Sequence, residues 1–214
     1  MKPVSVSQAF SLGWERFKVS WGTFVGLLIL SVLVAFIPLV GSLLDVFIFQ
    51  PALYMAALLA VRKGRVSFGE AFQDFGRLLL VGLFTLLVSL IPAVVFVAGA
   101  ATYLFDSSTY ASQMDFSSPP FPMNGLVVAA FVLAVIFGLL FWFGGYFILD
   151  KKAGLFEAFG RSFSLVTQNI GVVLVYIILS ILVNVLGLVA CGLGLLVSGP
   201  VSVLAGAALY VGLT

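Results

Sequence analysis

Residues 22–40 read GTFVGLLILSVLVAFIPLV, an unbroken apolar run without one charged side chain. At about 1.5 Å per residue, such a run covers the roughly 30 Å hydrocarbon core of a bilayer as a single helix. Gly41 and Ser42 form a tight connection, and a second run follows from Leu43 to Val61, where Arg62, Lys63 and Arg65 stop it. The two runs predict a transmembrane hairpin.

The same reading finds four more spans, at Leu78–Phe105, Gly125–Leu149, Ile170–Ala190 and Leu195–Leu213. The third is too long for an untilted span and carries Pro92, so tilt, a kink or an interfacial end is expected. Between spans three and four, residues 106–124 (DSSTYASQMDFSSPPFPMN) contain Ser and Pro but no Lys or Arg, and read as an exposed loop. The composition agrees: of 214 residues, 63% are hydrophobic and 8% charged, against about 25% charged in soluble domains. Mean hydropathy is +1.27. The expectation is an all-α polytopic membrane protein, one membrane domain over residues 1–214.

All ten Lys and Arg fall on one side of a six-span path: Lys2, Arg16 and Lys18 before span one, Arg62, Lys63, Arg65 and Arg77 between spans two and three, and Lys151, Lys152 and Arg161 between spans four and five. The positive-inside rule makes that side cytoplasmic, with both termini inside and the chain in the inner membrane. Asp45, Asp106 and Asp115 fall on the other side. Trp21, Trp142, Tyr146 and Tyr210 are expected in the interfacial belt. The start of the chain lacks the pattern of a cleaved signal peptide and is expected to stay attached.

A short amphipathic segment precedes each pair of spans. The stripes are Phe10, Trp14, Phe17 and Trp21, then Phe68, Phe72, Phe75 and Leu79, then Leu155, Phe159, Phe163, Val166 and Ile170. They predict interfacial helices over residues 6–20, 67–78 and 154–168, with Phe10, Trp14, Phe72, Phe159 and Phe163 facing lipid or the bundle. The first and third units align at one constant offset, pairing Ala9 with Ala158, Phe10 with Phe159, Gly22 with Gly171, Ser31 with Ser180 and Pro51 with Pro200. Roughly 13 of about 54 positions are identical, about twice what shared apolar bias would give. The expected organisation is therefore three tandem units, 5–61, 67–149 and 154–213, each an interfacial helix plus a hairpin. This pattern, with an Ala-Phe pair four residues before an aromatic and the Gln168-Asn169-Ile170-Gly171 start of a span, resembles a broad group of uncharacterised six-helix bacterial membrane proteins. That group is similar to the membrane domain fused to some glycerophosphodiester phosphodiesterases. The resemblance implies the architecture only; the sequence has no room for the fused catalytic domain, so no phosphodiesterase activity is carried over.

With no His and one Cys, Cys191, a His-based metal site, a His-based triad and a disulfide framework are excluded, and no metal, cofactor or enzymatic activity is expected. A net charge of +2 excludes a dense nucleic-acid-binding face. Ligand-binding candidates are the polar and helix-breaking residues within spans. Pro51 and Pro200 each free a backbone carbonyl, and such interruptions at matched positions of two repeats mark either a central binding site or kinks made for packing alone. Gln50 and Gly199 stand beside them. Asp45 is an intramembrane carboxylate or, near the Gly41-Ser42 turn, a water-accessible one. Asn184 is a ligand contact or a link between helices. These residues lead to a protein that binds or moves a hydrophobic or lipid-like ligand in support of envelope homeostasis, with membrane lipids as partners. The alternative is a scaffold whose small residues, such as Gly187, Gly192, Gly194, Gly199, Ala205 and Gly206, meet a protein partner or a second copy of the chain.

Overall fold

The computed structural model describes residues 5–38, 40–105, 124–189 and 192–214. The expected loop from Asp106 and the thiol of Cys191 lie outside the described residues. Every regular element among the described residues is helical: α1 (Val6–Ala35), α2 (Val40–Leu44), a π-helical turn (Asp45–Phe49), α3 (Gln50–Lys63), a 3-10 turn (Gly69–Phe72), α4 (Phe75–Phe105), α5 (Gly125–Leu140), α6 (Gly144–Asp150), α7 (Leu155–Gln168), α8 (Ile170–Val189) and α9 (Leu195–Leu213). Six stretches are long and apolar enough to cross a membrane: Val6–Ala35, Val40–Lys63, Phe75–Thr102, Gly125–Asp150, Ile170–Val189 and Leu195–Leu213. That is the architecture of a multi-pass membrane protein.

One of the three helices expected before the spans takes a different form, that over residues 67–78. Residues 6–20 are helical as expected, and a kink at Ser20 (φ −123°, ψ 24°) sets them off from the second half of α1. A capping box starts α1: the Ser5 hydroxyl accepts from the Gln8 N–H at 3.3 Å, and the Gln8 side chain accepts from the Ser5 N–H at 3.1 Å. Residues 67–78 form one 3-10 turn, after which α4 begins at Phe75. The break has a cause in Asp74, whose carboxylate accepts from the Arg77 N–H at 3.4 Å and so restarts the helix as an N-cap residue does. Residues 155–168 are a separate helix, as expected, ending at Asn169 (φ −124°, ψ 29°).

The described residues divide into two compact units. The larger holds Met1–Thr85 and Phe143–Thr214. Its centre is α9, most of whose residues are buried. Helix α1 lies along it with Val6, Ala9, Gly13, Phe17, Ser20, Phe24 and Leu27 inward. At Gly13 the backbones approach so closely that a Cβ would lie 3.0 Å from both the Ala205 nitrogen and the Val201 oxygen. The inward face shares Phe17 with the aromatic stripe but not its tryptophans: Ala9 and Gly13 are buried, while Trp14 and Trp21 are 46% and 61% exposed. Small residues let the two backbones approach here, with Phe17, Phe24 and Leu27 packed beside them.

Beneath α9's other side lies an aromatic cluster. The Tyr146 ring stacks on Tyr210 at 5.4 Å and tilts against Tyr54 at 5.3 Å, and Phe147 meets Tyr210 edge-on at 5.1 Å. Tyr146 and Tyr210, expected at an interface, are therefore core residues; each hydroxyl is used, Tyr146 donating to the Val203 carbonyl at 3.1 Å and Tyr210 to Asp150 at 3.3 Å. Trp142 remains exposed.

The smaller unit is Leu86–Trp142, formed by the second half of α4 and by α5. Asn124 caps α5 by accepting from the Val127 N–H at 2.9 Å, and its amide donates to the Gly99 carbonyl at 2.7 Å and to Thr102 at 3.0 Å. One residue thus starts a helix and ties it to its neighbour. Pro92 sits inside α4, which continues through it as one helix.

Candidate functional site

The polar candidates of span two come together in a cavity of about 300 Å³ within the larger unit, lined by Leu27, Leu28, Ser31, Asp45, Phe49, Gln50, Leu53, Tyr54 and Val203. Asp45 is its charged group. The Ser31 hydroxyl on α1 donates to one carboxylate oxygen, and the Gln50 amide donates to the other at 3.1 Å. Gln50 itself is exposed, so the polar end of the cavity reaches the surface of the unit there.

Pro51 explains the local backbone. A proline in a regular α-helix removes a donor and clashes with the carbonyl four residues back. Here the preceding residues 45–49 open into a π-helical turn, in which the Gln50 N–H reaches the Asp45 carbonyl, and Pro51 falls in the first turn of α3, where its missing N–H has no helical partner to lose. The wider turn puts Asp45 over Phe49 and Gln50, and these over Leu53 and Tyr54. All five line the cavity. Pro51 is buried and shapes the site without lining it.

The candidates from the last hairpin form a separate polar group. The Asn184 amide donates to the Ser180 carbonyl at 2.8 Å and to the Ser202 hydroxyl at 3.0 Å, and its oxygen accepts from Ser198 at 3.0 Å. Each bond to another side chain joins α8 to α9, which makes Asn184 a link between helices. Pro200 is buried within α9. Gly199 faces Leu28, one of the cavity-lining residues: a Cβ at Gly199 would lie 3.9 Å from a Leu28 methyl carbon. Neither Pro51 nor Pro200 is among the residues that line the cavity. Ser180, the counterpart of Ser31, has a buried hydroxyl without a hydrogen-bond partner.

The aromatic candidates occupy different settings. Trp14 and Phe163 are exposed. Phe10 lies 6.0 Å from Tyr176, Phe72 sits between Phe68 at 5.4 Å and Phe49 at 6.4 Å, and Phe159 packs on Phe84 at 4.5 Å. The Phe72 contact places that residue behind Phe49, a wall of the cavity.

At the opposite end of the helices, basic residues meet carboxylates. Arg62 pairs with Asp150 at 2.7 Å and Lys63 with Glu70 at 3.2 Å, and the Arg77 guanidinium donates to the Ile148 carbonyl at 3.2 Å. The Ser67 N–H and hydroxyl each donate to Glu70 at 2.8 Å, and with Lys63 they hold its carboxyl pKa at about 2, below the usual range. Val66 ties the same segment to α1: its N–H donates to the Ser20 hydroxyl and its carbonyl accepts from Thr23, both at 3.1 Å. Sequence reasoning missed this strap, whose signal was the pair of small hydroxyl residues three apart at the bend of α1.

No family model, no curated protein and no solved structure matches the chain. The class defined by fold and site is an all-helical, six-span membrane architecture with a carboxylate-bearing cavity. Among the described residues no cluster of metal-ligating side chains occurs.

Proposed function

We propose that this chain is a multi-pass inner-membrane protein, both termini cytoplasmic, that binds or moves a hydrophobic or lipid-like ligand in support of envelope homeostasis. One observation carries the reading: the cavity walls are leucines, a valine and aromatic rings, while its polar chemistry is concentrated in Asp45, Ser31 and Gln50. Apolar walls with a few convergent polar groups are the usual make-up of a ligand site. The volume is at the small end of the range of about 300–1,000 Å³ for such sites, which suits a head group and the first part of a chain.

The organisation into tandem units belongs to the same proposal. In support, the inward positions of α1 and of α7–α8 correspond at the sequence offset: Ala9 with Ala158, Gly13 with Ser162, Phe17 with Val166, Phe24 with Val173 and Leu27 with Tyr176. The bends at Ser20 and Asn169 correspond as well. Orientation rests on the basic residues gathered at one end. The scaffold alternative has less support, because Ala205 and Gly206, two of its proposed contact residues, are buried within the chain. The test is Gln50→Leu, purified from membranes and analysed for bound lipid by mass spectrometry. Ligand binding predicts reduced lipid per protein at unchanged expression; an unchanged ratio contradicts it.

A further inference from the structure

Building on that reading, we infer that the polar end of the cavity receives a cation, so that the ligand is an amphiphilic amine or ammonium compound. Asp45 lies in a span and lines the cavity, yet it takes part in none of the ion pairs among the described residues: Arg62 and Lys151 pair with Asp150, Lys63 with Glu70, Arg77 with Asp74 and Arg161 with Glu157. Its two neighbours are neutral. Ser31 and Gln50 donate one hydrogen bond each, which orients the carboxylate and leaves its negative charge uncompensated. A charge inside a span calls for a counter-charge or water, and every Lys and Arg of this chain lies in or beside the segments at the far end or at its start.

The rest of the lining says which kind of cation fits. Phe49 and Tyr54 border the same cavity as Asp45. Ammonium groups are attracted to aromatic faces within about 6 Å, and the Asp45 carboxylate beside the two rings supplies the opposite charge. A small metal ion needs about six oxygen ligands, and the leucines here offer none. The same leucines suit a hydrocarbon chain attached to the ammonium. Two sources share this chemistry, the amine of a phospholipid head group and a free amphiphilic amine.

The experiment uses the full-length protein in nanodiscs of phosphatidylglycerol and compares decyltrimethylammonium with decyl sulfate by equilibrium binding. The cation site predicts that the ammonium probe binds at least about tenfold more tightly than the sulfate, a difference on the scale of one charge-assisted contact. It predicts the same loss of ammonium binding in Asp45→Asn, with Asp45→Glu retaining most of it and all three proteins eluting alike as folded species. Competition by phosphatidylethanolamine added to the nanodiscs assigns the head-group source, and its absence the free amine; both support the cation. Equal binding of the two probes, unaffected by Asp45→Asn, overturns the cation while leaving lipid binding intact. Binding of neither probe overturns both.

Discussion

The side-chain amide of Gln50 donates to the carboxylate of Asp45 across 3.1 Å, although the two residues are five apart in sequence. On a regular α-helix of 3.6 residues per turn they would point about 140° apart around the axis. The π-helical turn at residues 45–49 brings them together, and that turn ends just before Gln50 and Pro51. The proline is thereby the sequence feature that assembles the site.

It follows that Pro51→Ala will let the segment return to α-helical hydrogen bonding and separate the pair. The expected result is unchanged or slightly higher thermal stability, by about 1 kcal/mol for the regained bond, together with a loss of bound lipid. Melting curves in detergent and lipid analysis of the same sample measure both. Lower stability with unchanged lipid would make the wide turn a packing feature alone.

Ser20→Ala tests the strap between α1 and the segment after α3. The Ser20 hydroxyl is buried and is the acceptor for the Val66 N–H. Removing it leaves that donor unpaired, at a cost of about 1–3 kcal/mol. Denaturant titration in detergent should show the loss for Ser20→Ala and much less for Ser20→Thr, which keeps the hydroxyl.

Glu70 gives a pH dependence with a fixed sign. Its carboxyl pKa is lowered to about 2 by the Ser67 N–H, the Ser67 hydroxyl and Lys63. A carboxyl lowered in the folded state contributes stability that is present above its unfolded value, near 4.5, and is lost as pH falls toward 2. Wild type should therefore exceed Glu70→Gln in melting temperature at neutral pH, and the gap should close between those two values. Because the group is exposed, added salt should shrink the gap.

Orientation is tested by single cysteines on a Cys191→Ser background. Ser42 and Lys152 are exposed and lie at opposite ends of the proposed spans. A membrane-impermeant maleimide added to intact spheroplasts should label Ser42→Cys and spare Lys152→Cys until the membrane is opened. The reverse pattern would invert the topology.

The six apolar stretches were legible because length and lack of charge alone decide whether a helix can span a bilayer. The capping of the chain between them was partly legible: Asp74, three residues before Arg77, is an N-cap pattern that competes with the continuous stripe through Phe68, Phe72 and Phe75. What periodicity left open was which aromatics of α1 face lipid and which the bundle. Trp14 and Trp21 dominate a helical wheel by hydrophobicity and are exposed, while Ala9 and Gly13 turn inward together with Phe17 and Phe24, and at Gly13 the backbone comes close to α9. The site was legible as residues and not as a site. Asp45 and Gln50 stood out singly, while their meeting depends on a π-helical turn that a 3.6-residue wheel conceals.

The most direct test of the cavity as a ligand site is photolabelling with a diazirine-bearing phospholipid in nanodiscs, followed by peptide mapping. A ligand site predicts that labelling of Leu28, Phe49 and Leu53 is saturable and falls when unlabelled lipid of the same kind is added, while labelling of exposed α8 residues such as Ile178 and Ile181 rises in proportion to probe concentration. Labelling of Leu28, Phe49 and Leu53 that is as unsaturable as that of Ile178 would contradict it.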